Sequence, residues 1–284
     1  MTMKKIAVVD LLGGFGNQVI QISFAKYLQD SGFVVRINPY QLKNKEIEKK
    51  RNLELNIESF GFKSISYLTY LIFEMIKKLF YIRLLNRFFN SRYNPIFKIF
   101  EGQHLKKDFS FINRFTGYWQ SENHIINNQN FIRESLSKNN KNLNQIEKNE
   151  LNENIMVHIR RTDYTDISEE INDKYYLEAL KFTKSNFEIE KYDIFTDLNT
   201  VPHNDKIFEN ANNVYLNDGS ENAFNTFSKM ANYRYFIIAN SSFSYLASIM
   251  SMMNNKVVLY PSPWFKNSNF EPFIPKDWVR IDSL

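Results

Sequence analysis

The chain has 284 residues, no cysteine, a formal net charge of +5 and a pI near 9.0. That length gives room for one large or two compact domains, and the lack of cysteine excludes a disulfide framework and any thiolate metal site. The basic balance calls for an anionic partner, whether nucleotide, sugar diphosphate, nucleic acid or acidic lipid.

The first residues run into a short apolar strand, Ile6-Ala7-Val8-Val9-Asp10, too brief for a secretory core, so no leader is expected. Leu12-Gly13-Gly14-Phe15-Gly16-Asn17-Gln18 follows as a glycine-rich turn. A helix comes next, with Ile20, Phe24, Tyr27 and Leu28 on one face and Gly32 placed to end it. Residues 33–37 read as a second strand. In such a β-loop-α-β unit the glycines let backbone N–H groups approach a ligand at the helix N-terminus. The third glycine of a dinucleotide fingerprint is missing, and Arg36 and Asn38 stand where its acid would end the second strand.

Over residues 64–107, Tyr67, Leu71, Met75, Leu79 and Ile82 mark a helical face that Glu74, Lys77 and Lys78 interrupt, so this is not a spanning helix. From residue 77 onward bases outnumber acids and aromatics are interleaved with them. That pattern suits either a core helix with a solvated basic face or a helix lying on an anionic membrane. Residues 117–122 offer Gln120 and Glu122 as polar groups, and Trp119 as a stacking face or a core residue. Residues 139–154, rich in Asn, Lys and Glu, read as a solvated linker. The expected domains are therefore 1–150, an α/β domain with a basic, aromatic helical insert, and 151–284, a second α/β domain.

In the second half strands over 155–159, 193–196, 235–239 and 256–260 alternate with helices over 174–183, 224–231 and 243–253. Such alternation predicts a parallel sheet with helices on both faces. Residues 235–255 carry no charge and are long enough to cross a membrane, but Asn240, Ser241, Ser242 and Ser244 interrupt them. Strand, polar turn and helix, with Phe243 opening the helix, make a second anion cradle.

Val157-His158-Ile159-Arg160-Arg161-Thr162-Asp163-Tyr164 ends a core strand in two guanidiniums and an acid. Strand alternation sends His158 and Arg160 to one face and Arg161 to the other. Arginine suits two-pronged gripping of phosphate, whereas an Arg161–Asp163 pair would merely fix the loop. His158 is either a proton carrier or, more in keeping with a strand interior, a hydrogen-bonded support. Asp197, ending Phe195-Thr196-Asp197, is either a turn cap or a ligand contact. No Asp-x-Asp pair and no His/Cys cluster suggests a metal, so none is expected.

These blocks in this order, Gly13-Gly14-Phe15-Gly16-Asn17-Gln18, then residues 117–122, then His158 to Tyr164, Phe195-Thr196-Asp197, and Ile238-Ala239-Asn240-Ser241-Ser242-Phe243-Ser244, resemble the bacterial α1,2-fucosyltransferases of glycosyltransferase family 11. The resemblance implies a GT-B-like α/β fold, two Rossmann-like domains facing each other across a catalytic cleft. The N-terminal domain would be acceptor-side and the C-terminal one would hold the donor. It implies Arg160, with Arg161, His158 and Asp163, at the reacting diphosphate. Asp197, Asn240, Ser241, Ser242 and Phe243 would bind the rest of GDP-fucose. Gly14, Gly16, Asn17, Gln18, Gln120 and Glu122 would lie toward sugar and acceptor. The general base stays open from the residues themselves: Asp10, Glu122 or Asp163, or late deprotonation of the acceptor with no dedicated base. Thr162, Leu198, Tyr245 and Leu246 depart from the family pattern and carry none of the charges invoked.

The expected activity is that of an inverting, metal-independent galactoside 2-α-L-fucosyltransferase in surface polysaccharide synthesis. Its setting would be the cytoplasm, on the inner face of the plasma membrane through residues 64–107, with a lipid-linked galactoside acceptor and no nucleic acid. Another GDP-sugar or linkage, or an inactive sugar-nucleotide binder, is the alternative.

Overall fold

The computed structural model describes residues 4–43, 51–81, 97–102, 109–139, 152–219 and 221–284. Most of the basic segment beyond residue 81, and residues 140–151 of the expected linker, lie outside them. The chain divides into two compact units, residues 1–140 and 141–284.

Unit 1 holds β1 (Ile6–Asp10), α1 (Phe15–Asp30), β2 (Val34–Asn38), α2 (Tyr67–Tyr81), β3 (Phe97–Glu101), β4 (Ile112–Thr116), α3 (His124–Asn127) and α4 (Gln129–Asn139). Its strands form a parallel sheet in the order β2-β1-β4-β3. β1 is apolar on both faces because Ala7, Val8 and Val9 are all buried, as a central parallel strand requires. α2 covers the face bearing Val8 through Phe73, with Ile65 and Phe97 beside it. α1 lies against β1 and β2. Its Phe24 ring stacks on Trp119 at 4.4 Å, which makes Trp119 a core residue and not a surface for sugar.

The sequence pattern does not reveal β4, because Asn113 and Arg114 fall in its middle. Both are buried and both find partners. Asn113 donates to Ile6 O (3.2 Å) and Ser110 O (2.8 Å) and accepts from Ser110 N (2.8 Å). Buried polar groups are tolerated on these terms.

Unit 2 holds β5 (Asn152–Ile159), α5 (Thr162–Asp166), α6 (Asp173–Phe187), β6 (Tyr192–Thr196), α7 (Lys206–Glu209), β7 (Asn213–Tyr215), α8 (Ala223–Met230), β8 (Tyr233–Ile237), α9 (Ser242–Met250), β9 (Val257–Ser262) and β10 (Val279–Asp282). Its parallel sheet runs β10-β9-β8-β5-β6-β7. Ile155, Val157, Ile159, Ile194 and Ile237 line one face, where Tyr175, Tyr176 and Ala179 of α6 close the core. Tyr175 OH donates to Ile238 O (2.6 Å) and Leu259 O (3.2 Å), tying α6 to the strand ends. The expected helix at 243–253 begins at Ser242 and stops at Met250, where Ser251 Oγ turns away to Tyr233 O (2.9 Å).

Both sheets reverse direction. In unit 1 the chain leaves β1 for β2 on one side, crosses to the far edge as β3 and steps back beside β1 as β4. In unit 2 it leaves β5 for β6 and β7 and returns as β8. The switch points therefore lie at the C-terminal ends of β1 and β4, and of β5 and β8. Ligands of open α/β sheets sit at such points.

Candidate active site

At the switch point of unit 2, Arg160 follows β5 and Asn240-Ser241 follow β8. The Arg160 guanidinium meets the Asp163 carboxylate fork to fork, Nε to Oδ1 at 3.0 Å and Nη2 to Oδ2 at 2.7 Å. Asp163 thus pairs with Arg160, and the alternative of a loop-fixing Arg161–Asp163 pair does not form. The remaining prong, Nη1, donates to Ser241 Oγ at 3.2 Å. The Tyr164 ring lies against the guanidinium at 4.7 Å, and its OH donates to Asn240 O at 3.0 Å. Burial works against this cation, but Asp163, Tyr164 and Asp197 outweigh it and raise its pKa above the ordinary arginine value.

Ser241 caps α9, its Oγ accepting from Phe243 N at 3.3 Å. The N-terminus of a helix carries partial positive charge. A cation and the positive end of a helix thus converge on one hydroxyl, an arrangement that an anion would stabilise. Ser242 and Phe243 are half-buried in the first turn of α9. The Phe243 ring flanks His158 at 6.3 Å and Phe227 at 6.1 Å. Asn240 donates through Nδ2 to Glu169 O (2.9 Å), while its buried Oδ1 has no partner.

His158 is buried, and its Nδ1 lies 2.8 Å from Ser244 Oγ, which also donates to Ser241 O. Burial, and then the Arg160 charge, push its pKa down to about 3. A general base needs a pKa near the working pH, so the geometry gives His158 a supporting place beneath the α9 turn. Arg160 and His158 share the α9 side of the sheet and Arg161 takes the other, as strand alternation requires.

Arg161 is caged by acids: Nη1 to Asp205 at 2.7 Å, Nη2 to Asp173 at 2.6 Å and Nε to Glu170 at 3.2 Å. It sits over the Phe208 ring and fastens α5, α6 and α7. Of the two arginines, Arg161 is therefore held by the chain's own acids, which leaves Arg160, the stronger candidate from the sequence, beside the α9 turn. Asp197 caps α5, accepting from Arg161 N (2.9 Å), Thr162 N (3.2 Å) and Thr162 Oγ1 (2.5 Å). Its geometry is that of a turn cap.

The switch point of unit 1 brings together the glycine-rich turn and residues 117–120. Asn17 Oδ1 accepts from Gln120 Nε2 at 2.7 Å. Gly14 is the N-cap of α1 and Gly16 is buried in its first turn. Gln18 is fully buried; it donates to Gly13 O (3.0 Å) and Asn52 O (2.9 Å) and accepts from Glu54 N (3.0 Å). Its amide is spent on the chain, which corrects its placement toward a sugar. Glu122 is half-buried. Asp10 is fully buried and held by Asn38 (2.7 Å), Thr116 (2.6 Å) and Arg114 (2.9 Å), so it is no base for an acceptor. Burial opposes the Arg114 charge, yet Asp10 and Glu74 outweigh it and raise the guanidinium above its ordinary value.

Four residues central to these sites carry no motif in the sequence. Arg114 reaches both Asp10 and Glu74 (2.8 Å). Gln21 joins Leu12 N (2.9 Å) to Gly117 O (3.0 Å). Glu54 accepts from Phe15 N–H at the start of α1. Glu169 pins the segment after β9 through Lys266 N (2.6 Å) and Asn267 N (3.0 Å). Each acts across long sequence separations that no local motif signals.

A parallel α/β chain with an arginine at a helix N-terminus on its switch point has the build of an enzyme handling a phosphate-bearing substrate. The chain belongs to glycosyl transferase family 11, whose sequence pattern matches residues 77–282, and it is a glycosyltransferase. It is 26% identical over 307 residues to an alpha-1,2-colitosyltransferase of Escherichia coli, covering 98% of this chain and 99% of that one. Among solved structures, it is similar to a glycosyl transferase family 9 protein of Veillonella parvula (9% identity, TM-score 0.43, 100% of this chain and 89% of that one). It is also similar to the E. coli heptosyltransferase WaaC with ADP-2-deoxy-2-fluoro heptose (9% identity, TM-score 0.39, 96% and 92%).

Proposed function

We propose that the protein is an inverting transferase that moves L-fucose from GDP-fucose to the 2-hydroxyl of a galactoside, without a metal, during O-antigen or capsule synthesis. The observation that carries this reading is the Arg160 guanidinium, aligned by Asp163 and aimed at the N-terminus of α9. The acceptor hydroxyl oxygen attacks the anomeric carbon opposite the diphosphate, the bond from that carbon to the diphosphate oxygen breaks, negative charge grows on the leaving GDP, and the hydroxyl proton is lost late to solvent. Fixed positive charge where that charge develops lowers the barrier. In this reading Arg160 supplies it, with Ser241, Ser242 and the helix N-terminus beside it, and Asn240 and Phe243 lining the donor site. Asn17, Gln120 and Glu122 remain on the acceptor side. The α1,2 linkage follows the relative named for it, and the same name favours a second reading, in which the donor carries colitose.

The acceptor is proposed to be lipid-linked and met at the inner face of the plasma membrane. Among the described residues, no helix is long and apolar enough to cross a membrane. The test is GDP release from GDP-fucose, GDP-colitose and GDP-mannose against a panel of galactosides, with and without EDTA. Turnover with GDP-fucose that EDTA leaves unchanged is expected. Turnover confined to another donor replaces fucose, and EDTA-sensitive turnover removes the metal-free mechanism.

A further inference from the structure

α2 is apolar on two faces. The inner one packs on the sheet through Phe73, with Tyr70 and Ile76 partly buried beside it. The outer one faces solvent: Leu68 is 67% exposed, Met75 57%, Leu71 44% and Ile72 44%. These four positions fall within roughly 100° of the helix circumference, so they form one stripe. Tyr67, 58% exposed, lies at its edge. Of the twelve exposed large apolar residues among the described ones, these five share a single helix. Single exposed apolar residues are ordinary, but a contiguous stripe marks an interaction surface.

Charge decides what covers it. Lys78 is exposed in the last turn of α2, and Lys77 pairs with Glu101 at 3.1 Å. The chain runs on from α2 into residues 82–96, outside the described residues, whose sequence carries Arg83, Arg87 and Arg92 and no acid. A protein partner for an apolar stripe needs no such excess of one sign, whereas an anionic bilayer takes apolar side chains below its headgroups and attracts bases at its surface. A tyrosine at the border of the stripe suits the same interface.

We infer that the outer face of α2 is the membrane-docking surface of this enzyme, with Leu68, Leu71, Ile72 and Met75 inserted among the headgroups of an anionic bilayer. This deepens the proposed function, on which it rests only for the nature of the acceptor; docking itself requires no particular sugar.

The experiment is co-sedimentation of the full chain with vesicles of phosphatidylglycerol and phosphatidylethanolamine, and with phosphatidylcholine alone. The wild type binds the anionic vesicles, and binding falls severalfold on phosphatidylcholine. The variant Leu68→Gln/Leu71→Gln/Met75→Gln binds at least tenfold more weakly, with an unchanged melting temperature and unchanged GDP release on a soluble acceptor. The inference is overturned if the wild type ignores anionic vesicles or if the variant binds them as the wild type does. It is equally overturned if light scattering shows a wild-type dimer that the variant abolishes while vesicle binding is absent, since the face would then join two copies. GDP release and vesicle binding fail separately, so loss of one reading leaves the other standing.

Discussion

In unit 1 the turn after β1 opens on α1, and the group facing that helix N-terminus is an acid: the Glu54 carboxylate accepts from Phe15 N–H. In unit 2 the turn after β8 opens on α9, and the group facing that N-terminus is a base: Arg160 Nη1 reaches Ser241 Oγ at 3.2 Å. Both turns lie at the switch point of a parallel sheet, and both read from sequence as anion cradles. The difference shows that topology places a site while charge decides what it can take. The unit 1 cradle is already occupied by the chain's own carboxylate. The unit 2 cradle brings one prong of a guanidinium, paired on its other side with Asp163, and a helix N-terminus onto one hydroxyl.

The sharpest way to break this contrast is Arg160→Ala. Removing a single group that stabilises developing charge typically costs two to three orders of magnitude in turnover, so GDP release at saturating donor should fall at least about 100-fold. Arg160→Lys keeps the charge but loses the fork to Asp163, and should recover only part of the rate. Near-normal turnover in Arg160→Ala would place the charge elsewhere.

Gly117→Ala tests unit 1 as scaffold. A Cβ at Gly117 would lie 2.0 Å from Gly102 O, a backbone atom that cannot swing away. Shifting β3 or the turn after β4 should cost about 2 kcal/mol, read as a lower midpoint in urea. An unchanged midpoint would mean that the turn carrying Gln120 is looser than its packing indicates.

His158→Gln separates support from proton transfer. Burial holds His158 down at about 3 and His124 at about 4, whereas an unfolded histidine titrates near 6.5. Below about pH 6.5 the unfolded chain binds protons that the folded chain refuses, so stability falls as the pH drops toward those values. Each histidine contributes a slope of about 1.4 kcal/mol per pH unit in that window. The variant should lose one histidine's share of the slope, while the pH profile of turnover keeps its shape. A turnover profile that loses a limb in the variant would make His158 a proton carrier.

Asp163→Asn is the next step down. It weakens the fork that aligns Arg160 while leaving the guanidinium present. The donor KM should rise about tenfold, equivalent to about 1.4 kcal/mol, with kcat changed less and partial rescue by Asp163→Glu. An equal fall in kcat at constant KM would instead put Asp163 at the reacting atoms.

Legibility followed the same division. β1, β2, β5, β6, β8 and the helices α1, α6, α8 and α9 show in the sequence because apolar residues recur at the period of the element. The α9 turn shows because small polar residues interrupt an apolar run. β4 hides because Asn113 and Arg114 break its period, and only their partners, Ile6, Ser110, Asp10 and Glu74, make the break tolerable. The partner of Arg160 was within reach: Asp163 lies three residues on, at the start of α5, and can turn back to it. The cage around Arg161 was not, since Asp173 and Asp205 lie far along the chain. Neither was the filling of the unit 1 cradle, because nothing around Glu54 in the sequence marks it as the acid that meets α1.

Glu54→Gln probes that filling with the smallest expected effect. Burial raises the Glu54 pKa, and Arg51 and the Phe15 N–H only partly offset it. A carboxyl whose folded pKa is raised favours the folded state while protonated, and that advantage is lost as the pH rises through the folded value. A neutral glutamine still accepts from Phe15 N–H and carries no charge to desolvate. At neutral pH the variant should be as stable as the wild type or more so, by less than about 0.5 kcal/mol given the exposure of residue 54. Its stability should also no longer fall just above the ordinary carboxylate range. A clear loss at neutral pH would show instead that the negative charge itself holds α1, so that the unit 1 cradle is an anion site satisfied from within rather than a turn merely closed by a hydrogen bond.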